Sequence, residues 1–487
     1  MIDPTDADAA YRAGMAALET GGEEAALATL AAARAVHPRD ARLWHVGGLL
    51  HRALGDLAPA LACCAEAAAL WPLDFGIAHL RARVALDAGL PAVDLYERAL
   101  RLERRDSTQL GLIEAIEAEQ GIAAAITRLD GLLRADPGWI PAHSYLARLR
   151  CAAGEGDRMF DSFERALAAT PRDVFLWREL IITMLNAGRF EAVLEAISRA
   201  RAAAGPHPTF DANEAVCVDS LGEHERAERL FAPLTGVDEV DLIVHRARNQ
   251  FRLGRPERAA ALVEPKLASD AVLVAPYLSF AWRLTGDARW AWLEGDERLV
   301  GAYDLDLPDL EGLAAFLRPL HRAAHEPAEQ SVRGGTQTEG NLLMRIEPEI
   351  QALRRLFMAA VERHIAQLPP PDPAHPTLGR SRAAPVRFAG SWSVRLAGGG
   401  HHSSHFHPEG WFSSAFYVAL PGETQGHEGW LQLGGLREEL GFDMPPTRLI
   451  EPKPGRLVLF PSTMWHGTVP FVAGERLSVA FDVAPPR

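Results

Sequence analysis

Two histidines, His405 and His407, stand two residues apart in HHSSHFHPEGWFSSAFYVALP, among alternating apolar and polar residues that predict a strand. Residues i and i+2 of a strand project from one face, so both imidazoles can turn toward one metal ion. About sixty residues on, GRLVLFPSTMWHGTVP reads as a short apolar strand, a turn and His466. GERLSVAFDV follows, a strand carrying Arg476 ten residues after His466. Neutral imidazole suits iron, zinc, copper and nickel, and a planar guanidinium suits a carboxylate. Taken singly, each histidine would ordinarily be a hydrogen-bonded core residue. That reading does not account for the His pair, the distal His and the following Arg together. The set points to a mononuclear metal inside a β-barrel beside a carboxylate-binding arginine. His401 and His402, in the run AGGGHHSS, read instead as a solvated loop.

The elements that must position these residues come after about residue 300. A helix over 308–322 is followed by the polar loop HEPAEQSVRGGTQTEG, too rich in Gly, Thr and Gln to be core. The segment 347–367 repeats apolar residues at helical spacing (Ile350, Leu353, Phe357, Val361, Ile365) and should back a sheet. The Pro-rich PPPDPAHPTLGRSRAAP is an extended connection. Short strands then follow, in PVRFAGSWSVRLA, WFSSAFYVALP, GWLQLGG, RLVLF and ERLSVAFDV. Short strands with helices on one side predict a jelly-roll barrel.

These motifs resemble the 2-oxoglutarate/Fe(II)-dependent oxygenases, over roughly residues 300–487. The resemblance implies a double-stranded β-helix with Fe(II) and 2-oxoglutarate as cofactors. It makes His405 the first ligand, His466 the distal ligand, Arg476 the anchor of the far carboxylate and Ser478 its companion hydroxyl. At position 407, where the family usually carries a carboxylate, this chain has a histidine. Three ligand sets follow: three histidines (His405, His407, His466), two histidines with Glu409, or two histidines with an open site. QSVRGGTQTEGNLL, HFHP and LFPSTMWHGTVP further resemble a bacterial branch often fused to tetratricopeptide repeats. In that family the polar loop lies near the barrel mouth, so Gln330, Arg333 and Gln337 are candidate substrate contacts, with Trp392 and Tyr417.

The first 290 residues repeat themselves. Glycines at 21, 55, 89, 121, 154, 188, 222, 254 and 286 recur every 32 to 34 residues. Apolar residues flank each at i, i+3, i+4 and i+7, which predicts two short amphipathic helices around a tight turn. The glycine allows a left-handed cap, and Pro38, Pro72 and Pro171 close second helices. This period is the tetratricopeptide signature, and such units stack into a superhelix with a peptide groove. Trp44, His45, Trp177, Arg178, Asn213 and Asn249 are its candidate lining. We place an all-α repeat domain at 1–292 and the jelly-roll domain at 293–487, with Trp290 and Trp292 fixing one against the other.

Net charge is −14 over 487 residues, spread along the chain, which argues against nucleic acid or an anionic membrane as main partner. Cys63, Cys64, Cys151 and Cys217 form no CxxC and fit reduced thiols of a cytoplasmic protein. The acidic N-terminus lacks signal-peptide features, and no apolar run reaches membrane-spanning length. The expected activity is a 2-oxoglutarate-dependent dioxygenase hydroxylating a side chain of a protein or peptide held by the repeats. An inactive repeat scaffold and a hydroxylase of a small metabolite are the alternatives.

Overall fold

The computed structural model describes residues 3–326, 330–422, 424–436 and 440–486. From Ala7 to Glu294 the described residues are helices and turns, with no strand among them. All nine periodic glycines take positive φ, between 68° and 93°. Other residues adopt that conformation at a cost, which is why glycine recurs there. Ala41–Ala53 and Leu57–Leu70 pair around Gly55, and Val174–Asn186 and Phe190–Ala204 around Gly188. Helices ending at Val36, Leu70 and Ala169 stop just ahead of Pro38, Pro72 and Pro171. Small and aliphatic side chains such as Ala10, Leu30, Ala33 and Val46 fill the contacts between units. The four cysteines are free. No helix among the described residues is long and apolar enough to cross a membrane.

Four of the expected groove residues are spent on the solenoid itself. Trp44 donates to the Pro38 carbonyl at 3.0 Å and the buried Trp177 to that of Pro171 at 2.9 Å, so these indoles fasten the preceding loop. Asn213 turns back onto Thr209 of its own helix. Asn249 is buried, donating to Asp219 (2.7 Å) and to the His224 carbonyl (2.9 Å). Arg178 is exposed and His45 half-buried.

Nine strands follow among the described residues: β1 Gly301–Asp304, β2 Val332–Gln337, β3 Phe388–His402, β4 Phe412–Ala419, β5 Leu431–Leu433, β6 Arg448–Ile450, β7 Arg456–Pro461, β8 His466–Thr468 and β9 Arg476–Val483. They form two antiparallel sheets, ordered β1-β7-β4-β9-β3-β2 and β6-β5-β8. The architecture is a solenoid of tetratricopeptide-like helix pairs followed by a jelly-roll β domain. Helix Pro348–Gln367 backs the larger sheet, its Phe357 ring 5.1 Å from Phe416 and 4.7 Å from Phe481. Leu477, Val479, Phe481 and Val483 of β9 face that helix layer. By the period-two rule Arg476, Ser478, Ala480 and Asp482 face the other way, into the barrel.

Two local expectations need correction. The polar segment around residue 335 is an edge strand, not a loop. β2 pairs with β3 through a register shift at Arg333/Gly335, where Gly334 has φ 64°. An edge strand needs little apolar burial of its own, so its Gly, Thr and Gln hid it. Pro327–Glu329 lie outside the described residues. The helix expected over 308–322 is Leu310–Leu317 with a 3₁₀ turn at Arg318–Leu320. Asp309 caps it, accepting from the Gly312 N–H at 2.7 Å, and Pro319 ends it.

The β domain docks along the intra-unit turns of the solenoid. Arg354 donates to the Leu54 carbonyl at 2.6 Å, Arg322 to that of Ala118, and Ala324 N–H to that of Ala152 at 2.8 Å. Helix C-termini carry unsatisfied carbonyls and a partial negative charge, so guanidinium groups settle there. Farther along, Tyr277, Phe280 and Trp282 share one apolar core with Leu436, Met444 and Trp465. At the junction, Trp292 donates to Asp372 at 2.7 Å and meets the His375 ring edge-on, while Trp290 packs on the shared core.

Candidate metal centre and anion pocket

β3 ends at His402, and the extended chain beyond it runs antiparallel to β8. His405 exchanges both backbone hydrogen bonds with His466, at 3.0 and 2.8 Å, and His407 N–H donates to the Ser462 carbonyl at 2.9 Å. His405 and His407 therefore lie outside any named strand, yet the two-residue spacing still sends both rings to one side. His405 and His466 rings are 4.1 Å apart between centroids, with His407 5.1 and 5.0 Å from them.

Each ring has its Nδ1 committed. His405 Nδ1 donates to the Ser403 carbonyl at 2.8 Å and His466 Nδ1 to that of Met464 at 3.0 Å. His407 Nδ1 donates to both carboxylate oxygens of Asp482, at 2.8 Å each. Pinning Nδ1–H fixes the tautomer and leaves Nε2 as a lone pair. Donor atoms of the three rings lie within 4.8 Å of one another. Burial pushes the His405 pKa down to about 3 and holds His466 well below the usual range, so both stay neutral and ready to ligate. Three convergent Nε2 atoms fit a divalent transition metal. Glu409 is exposed at the pocket rim and outside this group of donors.

Arg476 lies deeper, 2% exposed. Its guanidinium sits 5.0 Å above the Tyr417 ring and 3.5 Å from Ser478 Oγ, and its Nε has no hydrogen-bond partner. Among the described residues no carboxylate pairs with it. The two nearest in sequence are engaged elsewhere: Asp482 by His407, and Glu475 by Arg318 (2.8 Å) and Arg395 (2.6 Å). Burial lowers the Arg476 pKa. A buried cation without a counter-ion is costly, and this one lines a cavity of about 730 Å³ shared with the histidine triad. A guanidinium so placed suits an anion.

Gln330, Gln337 and Trp392 line the same cavity, Trp392 with its ring 5.6 Å from His407. Two expected contacts do not. Arg333 folds back on its own strand, donating to the Gln330 and Val332 carbonyls at 2.5 and 2.8 Å. Tyr417 is fully buried beneath Arg476, with no hydrogen bond to its hydroxyl. Two residues were missed. His402, expected in a solvated loop, lines the cavity, its Nδ1 3.1 Å from Thr468 Oγ1. Burial and then the Arg476 charge hold its pKa well below the usual range. Asp482 was foreshadowed only by its even spacing from Arg476 along one strand.

Residues 390–482 match the family model described as "Putative 2OG-Fe(II) oxygenase". The chain is a tetratricopeptide-repeat solenoid joined to a domain that matches the 2OG-Fe(II) oxygenases. The matched segment holds His405, His407, His466, Arg476, Ser478 and Asp482. Among solved structures, the chain is similar to a tetratricopeptide repeat protein from Parabacteroides merdae (18% identity over 48% of this chain and 95% of that one, TM-score 0.29). It is also similar to a prolyl-4-hydroxylase from Pseudomonas putida (20% identity over 39% and 94%, TM-score 0.26). No curated protein matches it.

Proposed function

We propose that the β domain is an Fe(II)- and 2-oxoglutarate-dependent dioxygenase that hydroxylates a side chain of a polypeptide met at the repeats. The observation that carries this reading is the pairing, in one cavity, of three convergent histidines with a buried arginine that has no carboxylate partner among the described residues. His405, His407 and His466 would hold the metal through Nε2, since each Nδ1 is already committed. Arg476 would receive the far carboxylate of 2-oxoglutarate, with Ser478 beside it. Fe(II) held there would supply activation of O₂, one oxygen atom going into succinate as 2-oxoglutarate loses CO₂ and the other into the C–H bond that becomes C–OH.

The other residues bind and orient. Arg476 fixes one end of the co-substrate, the Tyr417 ring supports the guanidinium from below, and Trp392, Gln330 and Gln337 remain for the substrate. We assign the repeats to 1–292 and the oxygenase domain to 293–487, with the polypeptide reaching the pocket from solenoid surface that the β domain leaves open. Anaerobic titration of the Fe(II)-loaded protein with 2-oxoglutarate should give a metal-to-ligand charge-transfer band. Succinate formation should then rise when cell extract is added. Absence of the band and of succinate would leave a scaffold; succinate formation that small metabolites alone fully stimulate would remove the polypeptide substrate.

A further inference from the structure

The histidine at 407 raises a question of charge. A divalent cation, three neutral imidazoles and the chelating carboxylate of a co-substrate leave one positive charge uncompensated. A ligand set of two histidines and a carboxylate would leave none. The displaced charge is close by. Asp482, 8% exposed, faces His407 with both carboxylate oxygens 2.8 Å from Nδ1. Ser413 Oγ donates to the same carboxylate at 2.7 Å and hydrogen-bonds Ser462 Oγ at 2.9 Å. Gly410 closes over this group, where a Cβ would collide with Ser462. No lysine or arginine pairs with Asp482 among the described residues. Its contact with the histidine group runs through the His407 ring.

We propose that Asp482 returns to the centre the negative charge that the usual carboxylate ligand would bring, so that His407 and Asp482 work as one anionic ligand. This rests on the metal-binding reading above. Asp482 is a positioning residue: it acts by orienting His407 and making Nε2 a stronger donor.

The test uses the full-length protein, freed of metal and titrated with Co(II). Asp482→Asn keeps the shape and an acceptor for the Nδ1 proton but removes the charge. It should weaken Co(II) binding by about 10- to 100-fold and raise the Fe(III)/Fe(II) potential, while the metal-free protein melts no lower. The double variant His407→Asp, Asp482→Asn moves the carboxylate into the ligand position and should recover at least tenfold of the loss, which a merely structural Asp482 would not allow. Wild-type Co(II) affinity and potential in Asp482→Asn would overturn the inference alone. If Asp482→Asn does not fold, failure of the double variant to bind Co(II) more tightly than Asp482→Ala overturns it. Absence of Co(II) binding in the wild-type protein would remove the metal centre and the inference together.

Discussion

Replacing Arg476 separates its two effects, on the co-substrate and on the metal-free protein. In the structure its guanidinium has Ser478 Oγ at 3.5 Å and the Tyr417 ring face at 5.0 Å, with Nε unpaired. A carboxylate placed against it would accept two parallel charge-assisted hydrogen bonds. Arg476→Lys keeps the charge but loses the fork, and with it one such bond, roughly 1.5–3 kcal/mol. The dissociation constant of 2-oxoglutarate should therefore rise about 10- to 150-fold, read by calorimetric titration of the Fe(II)-loaded protein without oxygen. Iron binding should hardly change, because no triad histidine touches the guanidinium through a hydrogen bond. Arg476→Met goes further: it abolishes the anion site but removes an unpaired buried charge. Swaps of that kind are often neutral or stabilising by about 1–4 kcal/mol, so the metal-free Met variant should melt at the same or a higher temperature. Unchanged 2-oxoglutarate affinity in the Lys variant would mean that the co-substrate is held elsewhere. A marked fall in the melting temperature of the Met variant would mean that Arg476 has a structural counter-ion.

His466→Ala should abolish stoichiometric metal retention and Glu409→Ala leave it intact, measured by metal analysis after dialysis; the reverse pattern would put Glu409 in the ligand set. His364, 1% exposed and bonded to the Tyr303 hydroxyl at 2.9 Å, has its pKa lowered by burial to about 4. The unfolded chain titrates near 6.5 and so binds this proton first. Stability should be complete above pH ~6.5 and fall toward pH ~4 with a slope of up to about 1.4 kcal/mol per unit from this residue. Melting profiles against pH should be shallower in His364→Gln, and an unchanged slope would refute the assignment. Gly89, at φ 77°, has the Arg345 guanidinium packed where a side chain would go. Gly89→Val should cost roughly 1–3 kcal/mol and expose the docked segment 341–346 to hydrogen exchange; unaltered protection there would show that the contact does not hold the domains together.

The repeats were legible because each needs one residue type for a steric reason: nine glycines at one period correspond to nine positive φ angles. The convergence of the three histidines was legible because period two survives wherever the chain is extended, even past the end of β3. What escaped depended on partners distant in sequence. Asp482 escaped because His407, 75 positions away, lies beside it only once β9 closes the barrel. His402 was lost in a glycine run whose continuation of β3 is fixed by pairing with β2, itself unseen for lack of apolar alternation. Trp177 and Asn249 were placed in a groove because an amphipathic helix does not say which face its neighbour covers. For Trp177 there was a local signal, since the proline whose carbonyl it caps lies six residues earlier.

The solenoid is more than an appended module, because it fastens the chain on both sides of a strand that forms part of the pocket wall. β2 is a Gly-rich edge strand, weak by itself, yet it carries Gln337 and follows directly on Gln330 and Ser331. The chain on either side is fastened to successive turns of the repeats: Arg322 and Ala324 before it, Arg345, Ile346 and Arg354 after it. Gln337 also lines a second cavity of about 310 Å³, whose opposite wall is the repeats' own Arg83, Glu114, Tyr145 and Arg148. The pocket and the inner face of the repeats thus share a residue on the strand that the repeats hold in place. On the proposed reading, a polypeptide lying on that face would reach the histidine cavity without any motion of one domain over the other. Fusion is the simplest way to keep both surfaces at a fixed spacing, and this geometry gives the repeats a reason to be carried on the same chain.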